Sequence, residues 1–274
     1  MTLPLSYSRS FSVLRRGHRY HSSFRALSEM PLWQTGAMRT GLLAVFFAAI
    51  GTAATAAQAG SPVLLELFTS EGCSSCPPAE ALLEKIDHEQ PIAGVDAIVL
   101  SEHVDYWDGL GWVDPYSSAT LTQRQAEYGR LFHLDSIYTP QLVVDGSAEV
   151  VGGDARAVFA TVARASRYPK IAVRIGAGSR VEADPLPASG PARARVLVAV
   201  ADDNATTKVL RGENASRTLH HVAVVRSLHE IGSLSRNAGF SKAIEPPREG
   251  QRLVVFVQDA ASGRVLGAAA IRPR

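Results

Sequence analysis

The chain has 274 residues, 46% of them hydrophobic and 20% charged, which excludes a disordered or fibrous chain and allows one large core or two modest ones. The formal charge of +2 arises at the amino-terminal end, where Arg9, Arg15, Arg16, Arg19, Arg25 and Arg39 face Glu29 alone in residues 1–59. Without that end, 28 basic residues fall to 22 and 26 acidic ones to 25, so the remainder lacks the basic footprint that phosphate backbones require, and no nucleic-acid partner is expected.

The amino terminus reads as an export leader. Arg39 supplies a positive start, Leu42 to Ile50 an apolar segment, and Ala57-Gln58-Ala59 a small-x-small cleavage site. Cleavage is expected after Ala59, which places the mature protein in the periplasm or outside the cell. The apolar run falls short of the roughly 20 residues that cross a bilayer, so no stable membrane span is expected after cleavage. Residues 1–37, rich in Ser and Arg, precede Met38, from which a leader of ordinary length would begin.

From Val63 to Thr69 the residues are mostly apolar, as in a strand buried on both faces, and the run ends in the turn Ser70-Glu71-Gly72-Cys73. Pro77 and Pro78 then open a segment whose Ala81, Leu82, Leu83 and Ile86 lie at helical spacing, since proline is tolerated in a first helical turn. A second strand is expected at Val95 to Leu100 and a helix from Ala119 to Phe132. Leu142 to Val144 and Glu149 to Val151 flank Asp145-Gly146 as a hairpin, and Asp154 caps a helix from Ala155 to Arg167. Beyond Tyr168 helical periodicity stops, and short apolar runs at Ile171, Ala194, Leu219, Leu253 and Val265 alternate with Pro- and Gly-containing turns.

The only two cysteines, Cys73 and Cys76, therefore stand at a strand–turn–helix junction. A thiolate attacks disulfides, and the positive end of a helix lowers a thiol pKa, so Cys73 is the expected nucleophile and Cys76 its resolving partner. Ser74 and Ser75 between them offer hydroxyls to sulfur. Thr139-Pro140 leads into a strand and is a candidate cis bond facing the pair. A Cys-x-x-Cys pair in this setting reads as a redox motif on a thioredoxin-like fold. The expected fold is an α/β thioredoxin-like domain over residues 60–168, followed by a small all-β, sandwich-like domain over residues 169–274.

The loop from Ser101 to Tyr116 follows a strand on the same side as the cysteine turn and is expected to wall the site with His103 and Trp107. No resident cofactor or metal is expected. A soft-metal alternative would use Cys73, Cys76 and His103 to hold copper; a further alternative makes the pair an inert bridge in a non-catalytic binding module. Asn214, Arg217, Leu219, His220 and His221 read as an alternating surface strand, to which no chemistry is assigned.

The segment Leu65 to Ala79, with Gly72-Cys-Ser-Ser-Cys-Pro-Pro-Ala79, resembles the bacterial secreted family catalogued as domain of unknown function 1223. His103 to Asp108, Gly111-Trp112, Asp114-Pro115, Tyr138 to Gln141 and Gly212 to Asn214 extend the resemblance. It implies a thioredoxin-like fold and export, and no established reaction. From the residues themselves the expected activity is thiol–disulfide exchange with protein thiols, sustained by a redox partner.

Overall fold

The computed structural model describes residues 60–272; the leader expected over residues 1–59 lies outside them. In chain order the elements are β1 (Ser61–Thr69), α1 (Pro77–Glu89), β2 (Val95–His103), α2 (Ala119–Leu131), β3 (Gln141–Val144), β4 (Ala148–Val151) and α3 (Ala155–Ala165). There follow β5 (Val173–Gly176), β6 (Arg180–Ala183), β7 (Arg193–Lys208), β8 (Thr218–Ser235), β9 (Phe240–Ala243), β10 (Gln251–Gln258) and β11 (Val265–Ile271). Asp154 caps α3 by accepting from the Ala157 N–H, as the sequence predicts.

The fold class differs from the expectation. The chain does not form an α/β thioredoxin-like domain with a separate sandwich after it; it is mostly β, built on one mixed sheet of eight strands in the order β11-β10-β7-β8-β2-β1-β3-β4. Strands from both sides of residue 168 share that sheet, and β5, β6 and β9 form a second sheet of three strands. The physical reason lies in β7 and β8. Their apolar centres read as short runs, yet the strands extend through polar, half-exposed residues to lengths of 16 and 18 residues. β8 then lies parallel to β2, with Ser101 opposite Val224, and so covers the edge that a free-standing first domain would expose.

The core is layered around β1. Val63, Leu65 and Leu67 point to one face and pack with Leu83 and Ile86 of α1 and Val158 and Val162 of α3. Leu64 points to the other face, among Leu121 of α2, Ala199 of β7 and Val254 and Phe256 of β10. A third cluster joins Val181 and Ala183 of the small sheet to Val196, Val198, Leu253 and Val255. Thus β10 alternates Val254 and Phe256 into one cluster and Leu253 and Val255 into another, as a strand buried on both faces must.

Buried polar pairs link the carboxyl-terminal strands to the first half of the chain. The Arg252 guanidinium of β10 makes two hydrogen bonds of 2.9 Å to Asp87 at the end of α1 and one of 2.7 Å to Asp203. Lys170 donates to Asp145 at 2.6 Å and to the Val265 carbonyl at 3.0 Å. Arg124 of α2 donates to Glu66 at 2.6 Å and to the Tyr128 hydroxyl at 2.9 Å, and that hydroxyl donates to Glu66 and accepts from Gln258. Breaking a buried pair strands the remaining charge and costs about 3–5 kcal/mol. Arg252→Met is expected to lower unfolding stability in urea by about 3 kcal/mol, the low end of that range because Arg272 also reaches Asp87; an unchanged midpoint would contradict the role given to this clamp.

Candidate functional site

β1 and β2 run parallel and end together, with Thr69 opposite His103. The cysteine turn leaves from one and the aromatic loop from the other, so both begin at the same edge. The turn is tight: the Cys73 N–H donates to the Ser70 carbonyl at 3.1 Å and the Gly72 N–H to the Ser70 hydroxyl at 3.1 Å. Cys76 is the N-cap of α1, and its carbonyl accepts from Ala79 and Glu80. Pro77 and Pro78 carry no N–H, so the first turn offers sulfur few of the free amides on which the thiolate argument rested; the helix dipole is what remains.

Cys73 and Cys76 form a disulfide with Cα atoms 5.5 Å apart, and both residues are 0% exposed. Ser74 and Ser75 between them are exposed, and the Ser75 hydroxyl lies 3.4 Å from the Cys73 sulfur. Trp107 stands beside the turn. A Cβ at Gly72 would lie 3.1 Å from that of Trp107, and the indole N–H donates to Thr139 Oγ1 at 2.9 Å. The Thr139–Pro140 bond is cis. Pro140 reaches the first turn of α1 across Gly152, where a Cβ would meet Ala79 at 3.2 Å and Pro140 at 3.4 Å. Trp107 thus adjoins the cysteine turn and bonds Thr139, while Pro140 lies across Gly152 from the first turn of α1.

The β7–β8 connection covers this turn. Asn214, buried, donates through Nδ2 to the carbonyls of Glu71 and Cys73, each at 2.9 Å, and Arg217 holds the Asn214 amide oxygen. Glu213 accepts from the Ser74 N–H at 3.2 Å. Trp112 donates to Glu71 at 2.7 Å and packs against Gly212, whose φ of +79° favours a residue without a Cβ.

Through Glu71 of the turn and Glu80 of α1, the cysteine segment joins a buried cluster of acids and imidazoles. His103, expected as a wall residue, is instead fully buried, its Nδ1 2.7 Å from Asp114 Oδ2. That carboxylate also accepts from the N–H groups of Glu71 and Tyr116. His221 of β8 sits between Glu71, 3.1 Å from Nε2, and Glu80, 2.9 Å from Nδ1. The Thr69 hydroxyl donates to the other Glu80 oxygen at 2.6 Å. The two imidazoles meet edge to face at 4.9 Å, and Tyr116 packs against both.

Electrostatics follow from this packing. Burial opposes charge on His221, but hydrogen bonds to Glu71 and Glu80 and the charges of both push its pKa up to about 10. Burial raises Glu80, and the bond to His221 with the charges of His221 and His103 outweighs it, leaving the carboxyl below its usual range. Asp114 is likewise lowered: His103 and two backbone N–H groups overcome its burial. Glu102, one strand position before His103, is held well above the usual range by burial and by the charge of Glu66.

Glu71, Glu80, Asp114, Asn214 and His221 did not figure in the expected site. For His221 the signal was the alternation itself: His220 is exposed and His221 buried, and local sequence does not say which face looks inward. Glu80 lies four residues after Cys76, one helical turn along the same face, which was legible in principle.

The fold and site define a class: a mostly β protein on a mixed sheet, with a disulfide at a helix N-terminus and a buried acid–imidazole cluster joined to the same turn and helix. The chain belongs to the family described as protein of unknown function (DUF1223), whose model matches residues 64–258. It is similar to the crystal structure of protein AGR_C_4864 from Agrobacterium tumefaciens, with a TM-score of 0.62 and 25% identity over 77% of this chain and 94% of that one. It is also similar in fold to HBP35 of Porphyromonas gingivalis, with a TM-score of 0.52 and 14% identity over 78% and 76% of the two chains. No curated protein matches the chain.

Asn214 bonds two buried carbonyls; that of Cys73 keeps the Cys76 N–H without it, but that of Glu71 is left unpaired, which costs about 1–3 kcal/mol. Asn214→Ala should loosen the loop and speed reduction of the disulfide by dithiothreitol by about tenfold or more, followed by alkylation and mass; an unchanged rate would mean that the loop does not limit access.

Proposed function

We propose that this protein exchanges thiols and disulfides with protein substrates through Cys73 and Cys76, outside the cytoplasm. The observation that carries the reading is the bonded pair at the N-terminus of α1, with Trp107 beside the turn and hydrogen-bonded to Thr139 of the cis-proline segment. A disulfide persists in oxidising compartments, which agrees with the leader expected to end at Ala59.

In the oxidised form a substrate thiolate attacks one sulfur of the pair, making a mixed disulfide and releasing the other sulfur as a thiolate. A second substrate thiolate then attacks the mixed disulfide. The substrate leaves with a new disulfide, and Cys73 and Cys76 remain as a dithiol that a second disulfide couple reoxidises. Run backwards, the same steps reduce a substrate, with Cys73 attacking first and Cys76 resolving. Either direction requires the surroundings of the turn to open, because both cysteines are fully buried, and the loop carrying Glu213 and Asn214 is bonded to that turn.

That same burial favours a second reading, a closed structural bridge. A bridge spanning only two intervening residues restricts the unfolded chain little, which weighs against it. Oxidised protein mixed with a reduced model protein carrying two thiols should transfer its disulfide, and Cys73→Ser should abolish transfer. No transfer by the wild type, or full transfer by the variant, would return the bridge to a structural role.

A further inference from the structure

Thiol exchange leaves part of the buried cluster without employment. We propose that Glu80, His103 and His221 form a binding site for one divalent first-row transition-metal ion, with zinc as the type case, whatever the oxidation state of the cysteines.

The ligand atoms lie within 4.8 Å of one another and all three residues are buried. His103 Nε2 is buried with no hydrogen-bond partner, and His221 Nδ1 has no aligned partner although Glu80 Oε2 is 2.9 Å away. One orphaned ring nitrogen and a second with only a poorly aligned partner, both facing one carboxylate, are a costly arrangement for an empty core and a suitable one for a cation. An imidazolium at His221, clasped by Glu71 and Glu80, would account for His221 alone. It leaves His103 Nε2 without any partner.

The outer contacts fit a metal as well. Each histidine turns its other ring nitrogen to a carboxylate, His103 to Asp114 at 2.7 Å and His221 to Glu71 at 3.1 Å. Carboxylate backing of that kind fixes the ring and strengthens it as a ligand. Glu71, Glu80 and Asp114 bring three carboxylates to two imidazoles, a surplus of negative charge that a dication offsets. The ligands come from α1, β2 and β8, rigid elements that hold a site more closely than loops do. Two nitrogens and one oxygen suit zinc and its neighbours, whose tetrahedral bonds of about 2.0–2.2 Å hold ligand atoms about 3.4 Å apart, so binding entails a small opening of the 2.9 Å contact between His221 Nδ1 and Glu80. Both imidazoles bind as neutral donors, and any proton on His221 leaves to solvent. Tyr116, packed on both rings, also lines an open cleft of about 450 Å³ with Leu121 and Arg226.

The test uses purified, chelator-treated protein with its disulfide intact, titrated with Zn²⁺ by calorimetry and with Co²⁺ by visible absorption. One equivalent should bind, with d–d bands for cobalt. His103→Gln and His221→Gln should each weaken binding by about 100-fold, and Asp114→Asn, which removes the charge behind His103 and keeps every proposed ligand, by about 10–100-fold; the last variant decides the matter where a histidine variant does not fold. A Cys73→Ser/Cys76→Ser double variant should bind as the wild type does while losing exchange, which separates this site from the thiol chemistry. No stoichiometric binding, affinity unchanged in Asp114→Asn, or binding lost with the cysteines would overturn it.

Discussion

His221 reaches from β8 into the first half of the chain and stands between Glu71 and Glu80. Glu71 adjoins the cysteine turn and Glu80 lies in the first turn of the helix that the turn begins, so the imidazole fixes both ends of the disulfide's support. Three carboxylates with almost no exposure surround this place, and they are tolerable there only because imidazoles and backbone N–H groups meet them. The dependence runs the other way too. β2 and β8 are paired in register at Ser101 and Val224, and polar contacts such as His221 with Glu71, Asn214 with Cys73 and Arg252 with Asp87 carry the junction of the two halves.

A site of this kind belongs to neither half alone. The first half supplies the disulfide, the cis-proline segment and Trp107. The second supplies the loop bonded to the cysteine turn and one imidazole of the neighbouring cluster. Covering and support thus come from residues about 140 positions away in sequence, as in the Asn214 bond to the Cys73 carbonyl, separated by 141. Access to the sulfurs and the geometry of the acid–imidazole cluster are consequently linked through one strand, β8, and the loop that precedes it.

Local features were legible in the sequence because local physics produces them. The apolar run before Thr69, the prolines after Cys76, the Asp154 cap and the Asp145-Gly146 turn each specify an element within a few residues. The shared sheet left no comparable mark. Pairing of Ser101 with Val224 brings together distant segments, and the polar ends of β7 and β8 look like turns until their neighbours pair with them. His221 was hidden for a further reason: Ala223, at a φ of +53°, interrupts the regular alternation of β8, and the residues after it are buried without a break as far as Val225. The cis Thr139–Pro140 bond was legible because an X-Pro bond entering a strand is itself the signal.

Whether the centre is chemically active turns on how readily the bridge opens. Equilibration of the protein in glutathione or dithiothreitol buffers of known potential, with the Cys73–Cys76 state read by alkylation and mass, measures this directly. The exchange reading predicts a potential between about −120 and −270 mV, the span of working dithiol catalysts. A value below about −300 mV, where structural disulfides lie, would contradict it.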